Sequence, residues 1–504
     1  MKAKKPVLAI ILDGFGIRED KEGNPTKVAK MPFWTSLLKT YPHTQIYASE
    51  EYVGLPAGQM GGSEVGHMNL GAGRCVLQEF MRINQSIKDK TFFTNSVLVE
   101  QMKRVVKNKS TLHIMGLVSD GGIHSTIYHL ISLLEMAKEQ NVPSVMVHCV
   151  TDGRDTPPDS GREFLERLQS EIDKIGVGKI ATICGRFYAM DRENRWTRTE
   201  EAFNLIASAK GVRIDNFENA FDVEYTKKIS DEFIPPYVVG EYNGVKAKDE
   251  MLFFNFRPDR MRQIVDAFSS KKFNHFKRNL PKLHFVSMTC YDIRERNVEV
   301  VFPQMCPKMP LSNYLSVLKY KQLKVSETTK YAHVTYYFNG GVEKAPWGED
   351  RLLIESENVD NFAVCPQMKA PEIATAVERA IVKRVYDFIL VNFSNADMVG
   401  HTGNLDAAVL ALEAIDKALE RVVTAGLHLG YECVITADHG NIEDMRAKAG
   451  TLTTHTKNPV PLLITDKGIK FKKGKFGLCC FAPTILDIMG LDKPIEMTAD
   501  SIIK

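Results

Sequence analysis

A carboxylate and an imidazole stand side by side at Asp438 and His439, directly after the short apolar run at 433–435. This run is too short and too rich in β-branched residues for a helix, so it predicts a buried strand. Side chains at the carboxyl end of a parallel strand lie where open α/β sheets bind their ligands. One oxygen and one nitrogen ligand suit zinc, manganese or iron better than calcium. A polar turn would explain the same two residues, so a metal site needs partners elsewhere.

Carboxylates or imidazoles also stand at one end of three further predicted strands, Val7–Leu12, Phe388–Phe393 and 460–465. Asp13 follows the first, Asp397 and His401 follow the second, and His455 precedes the third. Asp397 and His401 are four residues apart, so a helical turn places both on one face, where they can grip a metal. Together with Asp438 and His439, these residues are enough ligands for two divalent cations. Two cations about 4 Å apart stabilise the attacking and the leaving oxygen of a phosphoryl transfer.

A glycine-rich loop, GQMGGSEVGHMNLGAGR at 58–74, holds a candidate nucleophile. Glycines let the backbone approach a ligand closely, and Ser63 is predicted as the N-cap of the next helix, where free N–H groups attract phosphate. Metal coordination would lower the pKa of the Ser63 hydroxyl, which makes it the natural site of a phosphoserine. A flexible loop with a capping serine is the alternative interpretation. His67 is predicted to be structural.

Lys330 is a candidate phosphate contact in the carboxyl-terminal part of the chain. It lies at a turn between a helix predicted over 311–323 and an aromatic-rich helix predicted over 331–339. Spacing alone favours an exposed surface lysine at this position.

The middle of the chain predicts an α/β fold with its own sheet, because strands and helices alternate. The predicted strands are 112–118, 145–150, 180–184, 252–256 and 283–290, and the predicted helices are 78–88, 96–107, 124–140, 160–175 and 195–210. Polar clusters after the first four strands carry five arginines, which are Arg154, Arg186, Arg192, Arg257 and Arg260. Guanidinium groups match carboxylate and phosphate with two parallel hydrogen bonds, so the clusters predict a pocket for a small anion. His124 is a base of this pocket or a helix cap.

The overall composition narrows the class of protein. A length of 504 residues indicates two or more domains. A net charge of +3 is too small to attract nucleic acid or a membrane through the electrostatic field of the whole protein. Nine cysteines without a C-x-x-C pair predict a reduced, cytoplasmic protein. The apolar run Val7–Leu12 is too short for a signal sequence or a membrane span.

Motifs along nearly the whole chain resemble those of the 2,3-bisphosphoglycerate-independent phosphoglycerate mutases, a family of the alkaline phosphatase-like superfamily. The motifs are LDGFG, GGSEVGHMNLGAGR, SDGGIHS, DGRDTPP, GRFYAMDRENRW, FNFRPDR, SETTKYAHVTYYFNGG, NADMVGHTG, TADHGN and THT. The last few are shared in outline with sulfatases and phosphopentomutase, whereas DGRDTPP, GRFYAMDRENRW and FNFRPDR are specific to this mutase family. One departure is Gly62, at a position where the family usually has asparagine.

The resemblance implies two α/β domains. A split, alkaline phosphatase-like domain at 1–76 and 311–504 would carry two metals and the nucleophile. An α/β transferase domain at 80–306 would be inserted into it and bind the substrate. The connections near 74–80 and 302–311 would be hinges.

Matching the motifs also implies a role for each site residue. One metal would take Asp397, His401 and His455, and the other would take Asp13, Ser63, Asp438 and His439. The substrate would be bound by His124, Arg154, Asp155, Arg186, Arg192, Arg257, Arg260 and Lys330. The catalytic residues would be Ser63, Lys330 and Asp155, and Asp155 is similar to the residue proposed to move the proton of the substrate hydroxyl.

The implied activity is the interconversion of 3-phosphoglycerate and 2-phosphoglycerate in glycolysis and gluconeogenesis through a phosphoserine on Ser63, without 2,3-bisphosphoglycerate. Oxygen and nitrogen ligands without a thiolate favour manganese, with magnesium or cobalt as alternatives. The family suggests a monomer that acts on a small molecule, without nucleic acid or membrane as a partner. The alternatives are a metal-dependent phosphatase or sulfatase, phosphopentomutase, and a non-catalytic sensor. A simple hydrolase has no need for the inserted arginines, and a sensor is expected to have lost the nucleophile or a ligand.

Overall fold

The computed structural model of the chain describes residues 5–291, 297–446 and 454–504. The chain forms two compact units, unit 1 with Met1–Gln78 and Cys306–Lys504, and unit 2 with Glu79–Met305. Each unit has its own sheet, flanked by helices, so the predicted α/β fold class is confirmed. Among the described helices, none has the length and apolar character needed to cross a membrane.

Fifteen strands alternate with fifteen α-helices over most of the described chain. The strands are β1 (Val7–Leu12), β2 (His43–Ile46), β3 (Leu112–Leu117), β4 (Val145–Thr151), β5 (Lys179–Gly185), β6 (Val212–Ile214), β7 (Tyr237–Val239), β8 (Glu250–Phe253), β9 (His284–Thr289), β10 (Val298–Phe302), β11 (Gln322–Glu327), β12 (Glu349–Ile354), β13 (Phe388–Phe393), β14 (Glu432–Thr436) and β15 (Val460–Ile464). The α-helices are α1 (Pro32–Thr40), α2 (Ser63–Ala72), α3 (Glu79–Lys88), α4 (Ser96–Asn108), α5 (Ile127–Glu139), α6 (Gly161–Ile175), α7 (Arg186–Ala189), α8 (Trp196–Ser208), α9 (Glu218–Thr226), α10 (Arg262–Ser269), α11 (Leu311–Val317), α12 (Ala370–Lys383), α13 (Asn395–Gly400), α14 (Leu405–His428) and α15 (Phe481–Met489).

The sheet of unit 1 has the strand order β12-β11-β13-β1-β14-β15-β2. Its first five strands are parallel, and β1 and β13 are buried over their whole length, as expected for strands covered on both faces. Strand β15 runs antiparallel to β14. The amino end of β15 therefore lies at the same sheet edge as the carboxyl ends of β1, β13 and β14.

The sheet of unit 2 has the strand order β10-β9-β8-β3-β4-β5-β7-β6. Strands β8, β3, β4 and β5 are parallel neighbours, whereas β7 runs antiparallel to β5. The segments that follow these four strands therefore meet at one edge of the sheet, where parallel sheets bind ligands.

One predicted element of unit 1 is wrong. The helix predicted over 311–323 ends at Val317, and the chain then enters the strand β11. Strand β11 is buried at every residue although it contains Gln322 and Lys324, and these polar side chains conceal the apolar run that marks a buried strand. The aromatic-rich segment that follows contains a short π-helical turn at His333–Tyr337.

Candidate active site

The sheet edge of unit 1 gathers the predicted ligands from four strands. Asp13 follows β1, Asp397 lies in α13 directly after β13, and Asp438 and His439 follow β14. His455 lies before β15, and the antiparallel direction of this strand brings it to the same edge. Asp13, Asp438 and His439 are 0 % exposed, so these ionisable side chains lie in a buried cluster that must compensate their charge.

Ser63 presents its hydroxyl to this cluster. Its Oγ lies 2.6 Å from Lys330 Nζ and 2.9 Å from His439 Nε2, and it donates to Asp13 Oδ1 at 3.3 Å. Ser63 is the first residue of α2, and Gly62 is the N-cap, so the prediction of Ser63 as the N-cap is wrong by one residue. The hydroxyl is directed at ionisable groups, as expected for a nucleophile with nearby activating groups.

Lys330 is buried, with 3 % of its surface exposed, so the interpretation as a surface lysine from spacing alone is wrong. Its Nζ lies 2.6 Å from Asp13 Oδ1 and 2.6 Å from Asp397 Oδ2. Burial alone would lower the pKa of Lys330, but the two carboxylates outweigh it and raise the pKa above its ordinary value. The ammonium group therefore stays charged beside the Ser63 hydroxyl.

The three predicted histidine ligands lie together beside Asp397. Asp397 Oδ1 is 3.1 Å from His401 Nε2 and 3.3 Å from His455 Nε2, and the rings of His439 and His455 stack with their centroids 3.8 Å apart. His455 Nδ1 lies 2.9 Å from the carbonyl oxygen of Gly61, which can only accept a hydrogen bond. In the neutral ring this contact places the proton on Nδ1, so the lone pair lies on Nε2, where it could bind a metal.

Two groups of ligand atoms in the described part of the chain lie close enough to hold a metal ion. The atoms of each group lie within 4.8 Å of one another, and the groups are Asp397, His439 and His455, and Asp13, His67 and Asp438. His67, which was predicted to be structural, places its Nδ1 3.2 Å from Asp438 Oδ2. The division of the ligands between two metals that the motifs imply stays a prediction.

The charges of the cluster fit divalent cations. Asp438 Oδ2 is buried and accepts no hydrogen bond of good geometry from the described residues, although His67 Nδ1 lies 3.2 Å away. Burial and the charge of Asp438 raise the pKa of Asp13 above its ordinary value, because three buried carboxylates share the single ammonium of Lys330. A cation bound to these oxygen and nitrogen atoms would balance the negative charge, and such donors suit manganese or cobalt.

Sequence reasoning missed two asparagines that donate hydrogen bonds to predicted ligands. Asn392 Nδ2 donates to Asp13 Oδ2 at 2.8 Å, and Asn441 Nδ2 donates to Asp397 Oδ1 at 2.7 Å. A polar residue within the otherwise apolar run of β13 was the available signal for Asn392. Asn441 stands in the TADHGN motif, directly after the ligand pair and Gly440.

Gly62 gives the ring of His455 room beside Ser63. A Cβ atom at position 62 would lie 3.2 Å from His455 Nδ1, which is closer than most such contacts. The backbone of Gly62 is extended, with φ −161°, so its conformation does not demand glycine. The asparagine that is usual in the family would therefore press on this ring rather than strain the backbone.

The arginines of unit 2 follow neighbouring strands. Arg154 follows β4, Arg186 begins α7 directly after β5, and Arg257 follows β8. Arg186 is buried, and its guanidinium Nη1 donates to Asp152 Oδ1 at 2.6 Å and to Asp155 Oδ2 at 2.6 Å. The predicted base Asp155 is therefore held by the same guanidinium group that is predicted to bind substrate.

Asp259, which sequence reasoning did not select, connects three more of the predicted residues. It accepts a hydrogen bond from Arg192 Nη1 at 2.8 Å, and its Oδ1 lies 3.1 Å from Arg257 Nε and 3.7 Å from His124 Nδ1. Burial, and then the positive charge of Arg186, lower the pKa of Arg260. The structure therefore brings the predicted arginines into one cluster rich in positive charge.

His124 lies within this cluster, before the start of α5 at Ile127. The helix therefore begins three residues after the predicted start at 124. Its N-cap is Thr126, so His124 is not a helix cap. Its Nε2 is 3.8 Å from Asp155 Oδ2. Burial and the charge of Arg186 lower the pKa of His124 to about 4, so the ring is neutral near pH 7.

Comparison with protein families identifies the inserted unit first. Residues 83–293 match the family described as the BPG-independent PGAM N-terminus. These residues fall inside unit 2, which carries the arginine cluster.

Relatives match the chain over its whole length. The 2,3-bisphosphoglycerate-independent phosphoglycerate mutase of Clostridium acetobutylicum is 45 % identical and covers 100 % of both chains. The enzyme of the same name from Clostridioides difficile is 46 % identical over 99 % of both chains. A crystal structure of Leishmania mexicana phosphoglycerate mutase at low cobalt concentration is 29 % identical, with a TM-score of 0.65, and covers 100 % of this chain and 99 % of its own. The chain therefore belongs to the family of 2,3-bisphosphoglycerate-independent phosphoglycerate mutases.

Proposed function

We propose that the chain interconverts 3-phosphoglycerate and 2-phosphoglycerate without 2,3-bisphosphoglycerate, and that Ser63 carries the phosphoryl group during the reaction. The observation that carries this proposal is the buried Ser63 hydroxyl, 2.6 Å from Lys330 Nζ and 2.9 Å from His439 Nε2. The full-length relatives that bear the mutase name support the same assignment. The reaction would belong to glycolysis and gluconeogenesis.

The first step would transfer the phosphoryl group from the 3-oxygen of the substrate to Ser63 Oγ. The ammonium group of Lys330 would lie against the phosphoryl oxygens, where a fixed positive charge stabilises the charge of the transition state. The second step would return the group to the 2-oxygen of the same glycerate. Ser63 would react as its alkoxide and return to that form when the phosphoryl group leaves. Asp155 would give a proton to the 3-oxygen and take one from the 2-hydroxyl, so that both residues are unchanged after a full cycle.

Two divalent cations would complete the cluster of unit 1. One would be held by Asp397, His401 and His455, and the other by Asp13, Ser63, Asp438 and His439. Such ions supply positive charge to phosphoryl oxygens and lower the pKa of a coordinated hydroxyl. The mixed oxygen and nitrogen donors favour Mn²⁺, with Co²⁺ and Mg²⁺ as alternatives.

The arginine cluster of unit 2 would keep the glycerate bound while Ser63 carries the phosphoryl group. Five guanidinium groups exceed what a single phosphate needs, and they suit a substrate that carries both a carboxylate and a phosphate. Loss of glycerate at this stage would leave water as the acceptor, and the enzyme would then act as a phosphatase. Retention of glycerate is therefore the function that we assign to this cluster.

We expect Arg257→Ala to lower kcat/KM for 3-phosphoglycerate by roughly 10- to 100-fold, because a hydrogen bond to a charged group contributes about 1.5–3 kcal/mol. The side chain is half exposed and pairs with Asp259, so its removal should leave the melting temperature nearly unchanged. The kcat/KM of Arg257→Lys should lie between those of the wild type and Arg257→Ala, since lysine keeps the charge and lacks the planar guanidinium group. Steady-state kinetics with Arg213→Ala as the control would check this, because Arg213 lies on the edge strand β6 and bonds the carbonyl oxygen of Gly240. Equal kcat/KM values for the two alanine variants would count against a substrate role.

A coupled assay separates this function from its main alternative. The purified protein should form 2-phosphoglycerate from 3-phosphoglycerate at the same rate with and without added 2,3-bisphosphoglycerate, and release little inorganic phosphate. A metal-dependent phosphatase would release one phosphate for each substrate consumed. Dependence on added bisphosphoglycerate would also overturn the proposal.

Some features of the proposal extend beyond the site. We also propose that the chain works in the cytoplasm, as a monomer, on a small-molecule substrate. Its nine cysteines without a C-x-x-C pair support a reducing compartment, and its net charge of +3 gives no general attraction to nucleic acid or membrane. The assignment of phosphate chemistry to unit 1 and of glycerate binding to unit 2 belongs to the same proposal. The hinges near 74–80 and 302–311 stay a prediction.

A further inference from the structure

Glu443 is a buried carboxylate that lies four residues after His439 and is 0 % exposed. We infer that Glu443 is a positioning residue that holds three ligand-bearing loops of unit 1 in the arrangement that binds metal. The inference rests on the proposed function, because it concerns the metal ligands named there.

Four donors surround the Glu443 carboxylate. Oε2 accepts hydrogen bonds from the backbone N–H groups of Gly16 at 3.0 Å and Asn441 at 2.9 Å. Oε1 accepts from Asn458 Nδ2 at 3.0 Å and from the hydroxyl of Thr456. An ionised carboxylate accepts about four hydrogen bonds and donates none, so this set of donors matches its capacity.

These donors belong to three loops that are far apart in the sequence. Gly16 follows the ligand Asp13, Asn441 follows Asp438 and His439, and Thr456 is adjacent to His455. Two backbone hydrogen bonds, from Thr456 N to Gly440 O and from Ile442 N to Gly14 O, join the same loops in pairs. The Glu443 carboxylate is bonded to all three loops at once.

Two glycines make room for this carboxylate. A Cβ atom built at Gly16 or at Gly440 would overlap the carboxyl group of Glu443. Gly440 directly follows His439 and Gly16 stands three residues after Asp13, so the backbone of each loop can approach the carboxylate closely. Gly16 of the LDGFG motif and Gly440 of the TADHGN motif thus have a structural reason in the packing around Glu443.

Glu443 does not belong to either group of possible ligand atoms, so its effect must act through the loops. Residues that orient metal ligands typically change metal affinity or activity by about 10- to 100-fold when they are lost. Glutamine at this position keeps the shape, but its NH₂ group would face donors. We therefore expect Glu443→Gln to loosen the loops and to weaken metal binding without removing a ligand.

The test is a calorimetric titration of metal-free protein with MnCl₂. We expect the Kd for Mn²⁺ to rise at least about 10-fold in Glu443→Gln. The matched control is Glu432→Gln, which removes a buried carboxylate that accepts from Thr465 Oγ1 at 2.6 Å at the amino end of β14, away from the ligands. Its Kd should stay within about twofold of the wild type, and the melting temperatures of both metal-free variants should be measured in parallel.

A milder variant covers the case in which Glu443→Gln does not fold. Thr456→Val keeps the shape of the side chain and removes only the hydroxyl that donates to Glu443. We expect a smaller rise of the Kd for Mn²⁺, of about 3- to 10-fold, since a single hydrogen bond contributes about 1 kcal/mol. In the double variant the two effects should not add, because Thr456 acts through Glu443.

The outcomes separate the positioning role from the metal site itself. If the wild type binds Mn²⁺ and both Glu443→Gln and Thr456→Val bind it within twofold of the wild type, the positioning role is wrong and the proposed function stands. An equal loss of affinity in Glu432→Gln would likewise reduce Glu443 to a general contributor to stability. A wild-type protein that binds no Mn²⁺, Co²⁺ or Mg²⁺ would overturn the proposed metal site and the inference with it.

Discussion

Replacement of Ser63 by alanine is expected to lower mutase turnover by about 10⁴-fold or more, because loss of a catalytic nucleophile removes the covalent route. The Ser63 hydroxyl is buried beside Lys330 and His439, and no neighbouring hydroxyl among its described contacts could replace it. The coupled assay with 3-phosphoglycerate measures the effect. Only residual turnover near the detection limit is consistent with Ser63 as the phosphate carrier.

The control for this variant is a serine of similar burial outside the cluster. Ser86 lies in α3 of unit 2 and donates to the carbonyl oxygen of Ile83, so Ser86→Ala tests the general cost of losing a buried hydroxyl. We expect its turnover to stay within about twofold of the wild type, since Ser86 lies outside the cluster around Ser63 and, among the described residues, its hydroxyl bonds only within α3. A Ser63→Ala protein with more than about one per cent of the wild-type rate would contradict the covalent mechanism.

Removal of divalent cations is the second large effect that we expect. Without cations, the carboxylates of Asp13, Asp397 and Asp438 share one ammonium group, and the hydroxyl of Ser63 loses the charges that activate it. Activity should therefore fall by more than about 100-fold after chelation and return on addition of Mn²⁺. The melting temperature of unit 1 should also fall, because ligand at about 1,000 times its Kd adds about 4 kcal/mol of stability.

Dialysis against a chelator, followed by assay in metal-free buffer and readdition of each ion, measures both effects. Addition of Mg²⁺, Co²⁺ or Mn²⁺ in separate samples would rank the ions, and we expect Mn²⁺ to restore the highest rate. Calcium serves as the control, because it prefers oxygen ligands and more of them than this cluster offers. Full activity in the chelated, metal-free sample would contradict a role for bound cations.

The fold of unit 1 was predictable where a buried strand is apolar at all or nearly all of its positions. Val7–Leu12 and Phe388–Phe393 were predicted with the bounds that the structure shows, because parallel strands covered on both faces need nearly continuous apolar runs, which Asn392 interrupts only once in the second. Strand β11 was not predictable in this way, since Lys324 is buried at 0 % exposure with hydrogen bonds to Ser312 and Asn339. Those partners come from elsewhere in the fold, so no local pattern reveals them.

The candidate site shows the same division. Asp13, Asp397 and Asp438 could be predicted as site residues, because each carboxylate follows an apolar strand and ligands bind at the carboxyl ends of such strands. Asn392 was not, because its partner Asp13 is 379 positions away and an amide within a strand has many ordinary explanations. Lys330 shows the remaining limit, since spacing alone gives no sign of its burial among carboxylates.

The most direct measurement is of Ser63 itself during turnover. Protein mixed with ³²P-labelled 3-phosphoglycerate and quenched in acid should retain label on the peptide that contains Ser63, since a phosphoserine survives acid. Mass spectrometry should place the phosphate on that residue, and Ser63→Ala should retain none. Turnover with no protein-bound label in the quenched sample, or label on another residue, would contradict the proposed role of Ser63.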